Sequence, residues 1–206
     1  MIRPLLLLVV CATLLTGCLP AGPPPGADPT AEPTPAETLE TPVTLPALVL
    51  PECADLYTAA EVLSLMGEGM VPADFNPAPE NAAYGTQFDE LRAELAAGDS
   101  LNCTWVLPAS ERGLTVSVML ATPEQFELVS STLRASGSDG TSTGGESIIF
   151  AISAEETPES SPYTEAHYLS PEIWVSARDL FGSFAPALTQ AAMDRMAELN
   201  PAYFGG

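Results

Sequence analysis

The chain contains no lysine. Six arginines and one histidine stand against 27 aspartates and glutamates, a formal charge of −21 over 206 residues. A surface of that sign repels phosphate backbones and anionic head groups, which excludes nucleic-acid binding and attachment to a membrane through a basic patch. With His167 as the single histidine, a nucleophilic triad would need that residue beside a serine and an aspartate. No S-x-x-K or H-E-x-x-H motif is present, and G-x-S-x-G occurs once, as Gly140-Thr141-Ser142-Thr143-Gly144 within a glycine-rich run. The glycine-rich run GTSTGGES, residues 140–147, lacks the lysine of a phosphate-binding loop and reads as a linker-like loop. No C-x-x-C pair offers redox chemistry, and two isolated cysteines with one distant histidine make no zinc site.

What is present begins at the N-terminus. Arg3 precedes an apolar run over residues 5–15, broken by Thr13. This has the form of an export signal and is too short for a permanent span, which needs about 20 apolar residues. The run ends in Leu15-Thr16-Gly17-Cys18 rather than in small residues around a cut site. These four residues resemble the lipobox of bacterial lipoprotein signal peptides. The resemblance implies that the Cys18 thiol receives a diacylglyceryl group and that cleavage precedes it, so residues 1–17 depart and Cys18 becomes the first residue. It implies a lipid anchor at the outer face of the cell membrane, in the bacterial cell envelope. Two acyl chains, palmitate for example, anchor stably, at about 0.8 kcal/mol per buried CH2. Cys11 leaves with the signal. Without Arg3, five arginines remain against 27 acids, a formal charge of −22.

Nine prolines lie in residues 19–46 among Ala, Gly, Thr and Glu, with no apolar periodicity. Such a stretch has too little to bury and reads as an extended tether, able to reach at most about 90 Å as polyproline II. Thr30, Thr34, Thr38, Thr41 and Thr44 suit O-glycosylation, although a plain spacer accounts for them. The organisation is therefore a signal over 1–17, a lipidated Cys18 with a linker to residue 47, and one domain over 48–206.

Two cysteines remain in the domain, Cys53 and Cys103. In an exported chain an even pair reads as a disulfide. Closing a loop of about 50 residues stabilises by roughly 4 kcal/mol in the chain-entropy model.

A first helix follows Cys53, with a Thr58–Glu61 capping box, a stripe of Leu56, Ala60, Leu63 and Met66 or Gly67, and Gly67 as its stop. Residues 71–83 read as a loop. Thr86 and Asp89 open a second helix, 86–97, with Tyr84, Phe88, Leu91 and Leu95 on its apolar side. Alternation over 101–107 and 114–120 gives two strands of a hairpin, whose inward Cys103 can reach the first helix. Thr122, Pro123 and Gln125 start a third helix carrying Phe126, Val129 and Leu133. A flexible loop over 136–145 and a strand over 148–152 precede an acidic loop, 155–162. Two more strands, 163–169 and 173–177, flank Ser170-Pro171. A last helix from about Pro186 carries Leu188, Ala192, Met196 and Leu199 and stops at Asn200-Pro201. This order predicts an α+β fold, an antiparallel sheet with helices packed on one face.

The lipobox, the Pro/Thr linker and the segments CADLYTAAEVLSLMG, LNCTWVL, GLTVSVML and LTQAAMDRMAEL together resemble the actinobacterial lipoproteins of the DUF3558 type, a group of unknown function. The resemblance covers most of residues 53–199. It departs where that group shows a GLGD-like segment, for which Gly144-Gly145-Glu146-Ser147 is the nearest counterpart, and residues 86–97 read as an insertion. It implies a Cys53–Cys103 disulfide and a cell-envelope location, and no activity.

His167 falls mid-strand with Glu165 on the same face and is expected at the surface or half-buried. Glu155, Glu156 and Glu159 read as a solvated loop, since their spacing is not that of a calcium loop. Tyr163, Tyr168, Trp174, Phe181 and Phe184 are expected mainly in the core, with an aromatic ligand groove as the functional alternative. No catalytic residue, metal or cofactor is assigned. The expectation is a lipid-anchored envelope protein, secreted and non-enzymatic, whose domain binds a protein, lipid or glycan. The alternatives are a cell-wall hydrolase with paired carboxylates, or a purely structural surface protein.

The charge itself makes a prediction. Unfolding separates like charges, so screening by salt favours the folded state, with a Debye length near 10 Å at about 0.1 M. Thermal melts should rise with sodium chloride, and with magnesium and calcium to a similar degree at matched ionic strength. A saturating shift at micromolar calcium would instead put a metal site at the acidic loop.

Overall fold

The computed structural model describes residues 47–73, 83–158 and 160–204. The signal 1–17, Cys18, the linker as far as residue 46, and Glu159 of the acidic trio lie outside the described residues.

Among the described residues seven strands form one antiparallel sheet in the order β1-β2-β3-β7-β6-β5-β4. They are β1 Val71–Pro72, β2 Ser100–Val106, β3 Gly113–Leu120, β4 Thr141–Gly144, β5 Ser147–Ala154, β6 Tyr163–Leu169 and β7 Ile173–Leu180. Leu114 to Met119 of β3 and Ile173 to Ala177 of β7 are buried without a break. Strands with that pattern must be covered on both faces, and these two pair with each other at the middle of the sheet.

Two hydrophobic cores result. Leu114, Val116, Val118, Ile173, Val175 and Ala177 face α5, Ala185–Leu199, whose Leu188, Ala192 and Met196 are fully buried. The opposite face presents Met119, Phe150, Leu169 and Trp174 to α3, Asp89–Ala97, and α4, Pro123–Ala135. The α+β class is the one the pattern implies, but the helices divide between both faces rather than gathering on one. Each fully buried Leu, Val or Met in these layers contributes about 1.5–3 kcal/mol by removal from water.

The N-terminal segment is clamped to the first core. Cys53, at the start of α1 (Cys53–Leu56), is bonded to Cys103 on β2 with the Cα atoms 5.4 Å apart. Next to it the edge of Tyr57 meets Trp105 at 5.3 Å, and the phenol donates to the Leu188 carbonyl. Burial and the nearby Glu61 charge push the Tyr57 phenol well above its ordinary value.

The single first helix expected here is interrupted. Thr58 caps α2, Ala59–Glu61, with the capping box in place, and the chain continues as a π-helical turn over Val62–Met66, which ends at Gly67. The wider turn shifts the phase of the stripe. Met66 is buried, whereas Leu63 is 61% exposed and Ala60 is exposed. Two edge strands replace expected loops: β1 pairs with Trp105 and Val106, and β4 pairs with the start of β5. All four residues of β4 are exposed, so no alternation betrays it. A short helix α6, Pro201–Phe204, follows α5. Among the described residues no helix is long and apolar enough to cross a membrane.

Asn200, at the end of α5, joins the two ends of the domain. Its Oδ1 accepts from the Val49 N–H at 2.7 Å, and its Nδ2 donates to the carbonyls of Val49 and Met196, each at 2.9 Å. Asn200→Ala removes both side-chain partners of the Val49 backbone, while the Met196 carbonyl keeps the Asn200 N–H at 3.0 Å, and should cost about 1–3 kcal/mol in urea denaturation. A midpoint equal to that of the parent would show that the clamp is dispensable.

Candidate functional site

Two cross-strand rows of polar side chains cross the face that carries α3. Asn102, Ser117, Ser176 and His167 are partners in sequence register, as are Thr104, Thr115, Arg178 and Glu165. The segment 83–88 lies over them. Gly85 approaches so closely that a Cβ would stand 2.2 Å from the Ser176 carbonyl oxygen, and only glycine fits there. The Gly85 N–H donates to Ser117 Oγ, which in turn donates to Asn102 Oδ1.

Glu165 and His167 have no exposed surface, a correction to the surface or half-buried histidine expected. Glu165 Oε1 accepts from the Thr86 hydroxyl at 2.6 Å, and Oε2 accepts from the Gln87 N–H at 2.9 Å. Thr86 therefore does not cap α3. The helix begins at Asp89 with Phe88 at the cap position and no side-chain cap. The Trp174 indole can only donate, and its Nε1–H reaches His167 Nδ1 at 3.1 Å. Nδ1 is thus the acceptor, and Nε2 carries the hydrogen donated to Glu165 Oε1 at 2.7 Å. Both ring nitrogens are engaged. Ser176 stands opposite His167, but its buried Oγ has no hydrogen-bond partner among the described residues. As arranged, the imidazole activates no hydroxyl. The network holds the 84–88 segment on the sheet.

Where this segment and α3 meet the sheet, a cavity of about 290 Å3 opens. Thr104, Thr115 and Arg178 contribute to its lining from one cross-strand row, Val106 and Leu180 add apolar surface, and Tyr84 and Arg92 come from the covering elements. The hairpin turn with Ser110, Glu111 and Arg112 completes the lining. Three of the five arginines beyond residue 18 therefore line one cavity. Arg178 lies 5.0 Å from the Tyr163 ring centre and forms no ion pair within 4.0 Å among the described residues. Burial, reinforced by Glu165 and opposed by Arg178, raises the Tyr163 phenol. Arg112 reaches away towards Asp179 Oδ1, its Nε 4.0 Å distant, and Arg92 pairs with Asp89. The Nε atoms of both Arg112 and Arg178 are buried and find no hydrogen-bond partner among the described residues. None of these arginines was singled out by motif. The signal available was the scarcity of basic residues.

The other sequence candidates are dispersed. Trp174 belongs to the core beside α3 and α4, Tyr168 packs against the opposite core, and Phe181 and Phe184 are 42% and 40% exposed. The five aromatics do not share one groove. Glu155 and Glu156 are exposed, and among the described residues no group of three His, Cys, Asp or Glu is placed to hold a metal. No family model, no curated protein and no solved structure matches the chain.

Asp179 is a buried carboxylate that motif reading missed. The Phe184 N–H donates to its Oδ2 at 3.2 Å, and Gly182 passes so near that a Cβ would overlap the carboxylate. Burial raises its pKa, offset in part by the Phe184 N–H and by Arg112. The folded state thus holds this proton more tightly than the unfolded chain does. Its contribution to stability is complete below the ordinary aspartate pKa and is lost as pH rises through the raised folded value. Asp179→Asn should therefore melt higher than the parent at neutral pH, with the difference shrinking as pH falls into the ordinary carboxylate range. An advantage independent of pH would contradict this reading.

Proposed function

We propose that the chain is a lipid-anchored protein of the bacterial cell envelope, held at the outer face of the cell membrane through Cys18, with a domain that binds a ligand rather than transforming it. The observation that carries this reading is Leu15-Thr16-Gly17-Cys18 at the end of an export signal. The Cys53–Cys103 bond suits an oxidising compartment, and the similarity of the segments around both cysteines to DUF3558-type lipoproteins points the same way. The binding half of the reading is supported by the contrast between two sites. The one histidine is sealed and saturated, while the cavity above the sheet gathers three arginines with hydroxyl side chains, and the Thr86 hydroxyl in its lining is committed to the buried Glu165 that holds the covering segment in place.

Replacing Cys18 with Ala and fractionating cells tests the anchor. The parent should partition with membranes and carry the mass of a diacylglyceryl adduct, and the variant should lose both. Equal membrane retention at unchanged mass would refute the anchor.

A further inference from the structure

We propose that the cavity between the 83–92 region and the sheet binds a small ligand with a terminal oxyanion, a carboxylate or a phosphate, and that Arg178 is its principal contact. This deepens the binding-domain reading and rests on it.

The five arginines of the domain differ in what they touch. Arg195 pairs with Glu198 and with the Asp55 carbonyl, Arg134 lies over the Phe150 ring, and Arg92 pairs with Asp89. Arg112 and Arg178 are left with buried Nε atoms that donate to nothing among the described residues, and an unpaired buried donor on a charged group is costly. Arg112 has a carboxylate at 4.0 Å. Arg178 has none that close, although Glu165 faces it in register. The reason lies in the neighbouring network: Thr86, Gln87 and His167 supply the hydrogen bonds of Glu165. Arg178 lines the cavity with the Tyr163 ring beside its guanidinium and, among the described residues, no anion within 4.0 Å, and its planar fork suits an oxyanion.

Glu111 is the one lining carboxylate and opposes an anion, whereas the hydroxyl and apolar side chains of the lining fit such a ligand. The Thr104 and Thr115 hydroxyls bond to each other at 3.1 Å. A pair of hydroxyls sharing one hydrogen bond retains a second O–H hydrogen, available to an acceptor in the cavity. Val106 and Leu180 offer apolar surface for a short carbon skeleton. A volume of about 290 Å3 lies at the lower end of small-molecule sites, so a short organic acid or a phosphate monoester is the right size and a polymer is not.

The test is a set of thermal melts on the full-length protein in detergent at about 0.15 M ionic strength, where screening acts over about 8 Å. Inorganic phosphate and methyl phosphate form one arm, acetate and succinate the other, each compared with sodium chloride at the same ionic strength. We expect a saturable upward shift in at least one arm, and the responding arm identifies the head group. Arg178→Gln should weaken the apparent affinity at least tenfold, while Arg195→Gln, which alters an arginine outside the cavity, should leave it unchanged. Shifts equal to those of chloride in both arms, or a saturable shift that survives Arg178→Gln, would overturn the proposal. If Arg178→Gln does not fold, phenylglyoxal labelling of the parent with peptide mass spectrometry decides: the responding probe should protect Arg178, and unchanged labelling refutes the site. A partner that co-purifies equally from membranes with the parent and with Arg178→Gln would remove this site and leave the binding-domain reading intact. Fractionation of the Cys18 variant is indifferent to Arg178 throughout.

Discussion

Glu165 is a carboxylate with no exposed surface, and the architecture around it follows from the need to supply it with donors. Those donors come from three places: the Thr86 hydroxyl, the Gln87 backbone and the His167 ring. Two of the three belong to one segment, so that segment must lie on the sheet. Having it there requires glycine at position 85 and takes Thr86 away from helix capping. The Thr86 oxygen instead accepts from the Phe88 N–H while its hydrogen goes to Glu165. The start of α3, the wall of the cavity and the orientation of His167 thus share one electrostatic cause.

Closure of the domain depends on contacts between residues far apart in sequence. The disulfide joins residues 50 apart, and Asn200 reaches Val49 across 151. The β3–β7 pairing brings together strands separated by α4 and three other strands. Local hairpins alone would leave β2–β3 and β6–β7 as separate ribbons, each with an unpaired edge and apolar residues on both faces. Their junction creates the doubly covered centre, and α5 packs beside it on β6 and β7. The N-terminal segment is fastened to the same assembly by Cys53–Cys103 and by Tyr57 against Trp105 and Leu188.

Elements with one apolar side were legible in the sequence. The Thr122–Gln125 capping box announced α4, the alternation of Cys103 and Trp105 announced β2, and Leu188, Ala192 and Met196 announced α5. The class of fold followed from their order. The second covered face was harder to read, because strands buried on both sides lose the period of two that marks a face. The edge strands were illegible for the opposite reason: Thr141–Gly144 is polar on both sides and is held by backbone pairing alone. His167 misled because its letter suggests solvent. Its partners Thr86, Gln87 and Trp174 come from other elements, and spacing in sequence does not disclose their meeting. The arginine cavity was hidden similarly, since its lining comes from three strands, one helix, one turn and the segment before α3.

The placement of positive charge follows from the same network. In a chain with so large an acidic excess, each arginine has carboxylates available, and a surface guanidinium finds one at little cost, as Arg92 and Arg195 do. Arg178 is different. It is half-buried, Glu165 stands opposite it on the next strand, and yet neutral donors rather than Arg178 make the hydrogen bonds of that carboxylate. Had stability alone shaped the pair, a direct Arg178–Glu165 bridge would satisfy both charges with fewer parts. The structure instead spends a threonine, a backbone amide and a histidine held by a tryptophan on Glu165, and leaves the guanidinium facing the cavity. That division of labour leaves a cation with an aromatic ring beside it and, among the described residues, no bonded anion, in a chain whose other charges are overwhelmingly negative, which is the arrangement an oxyanion site requires.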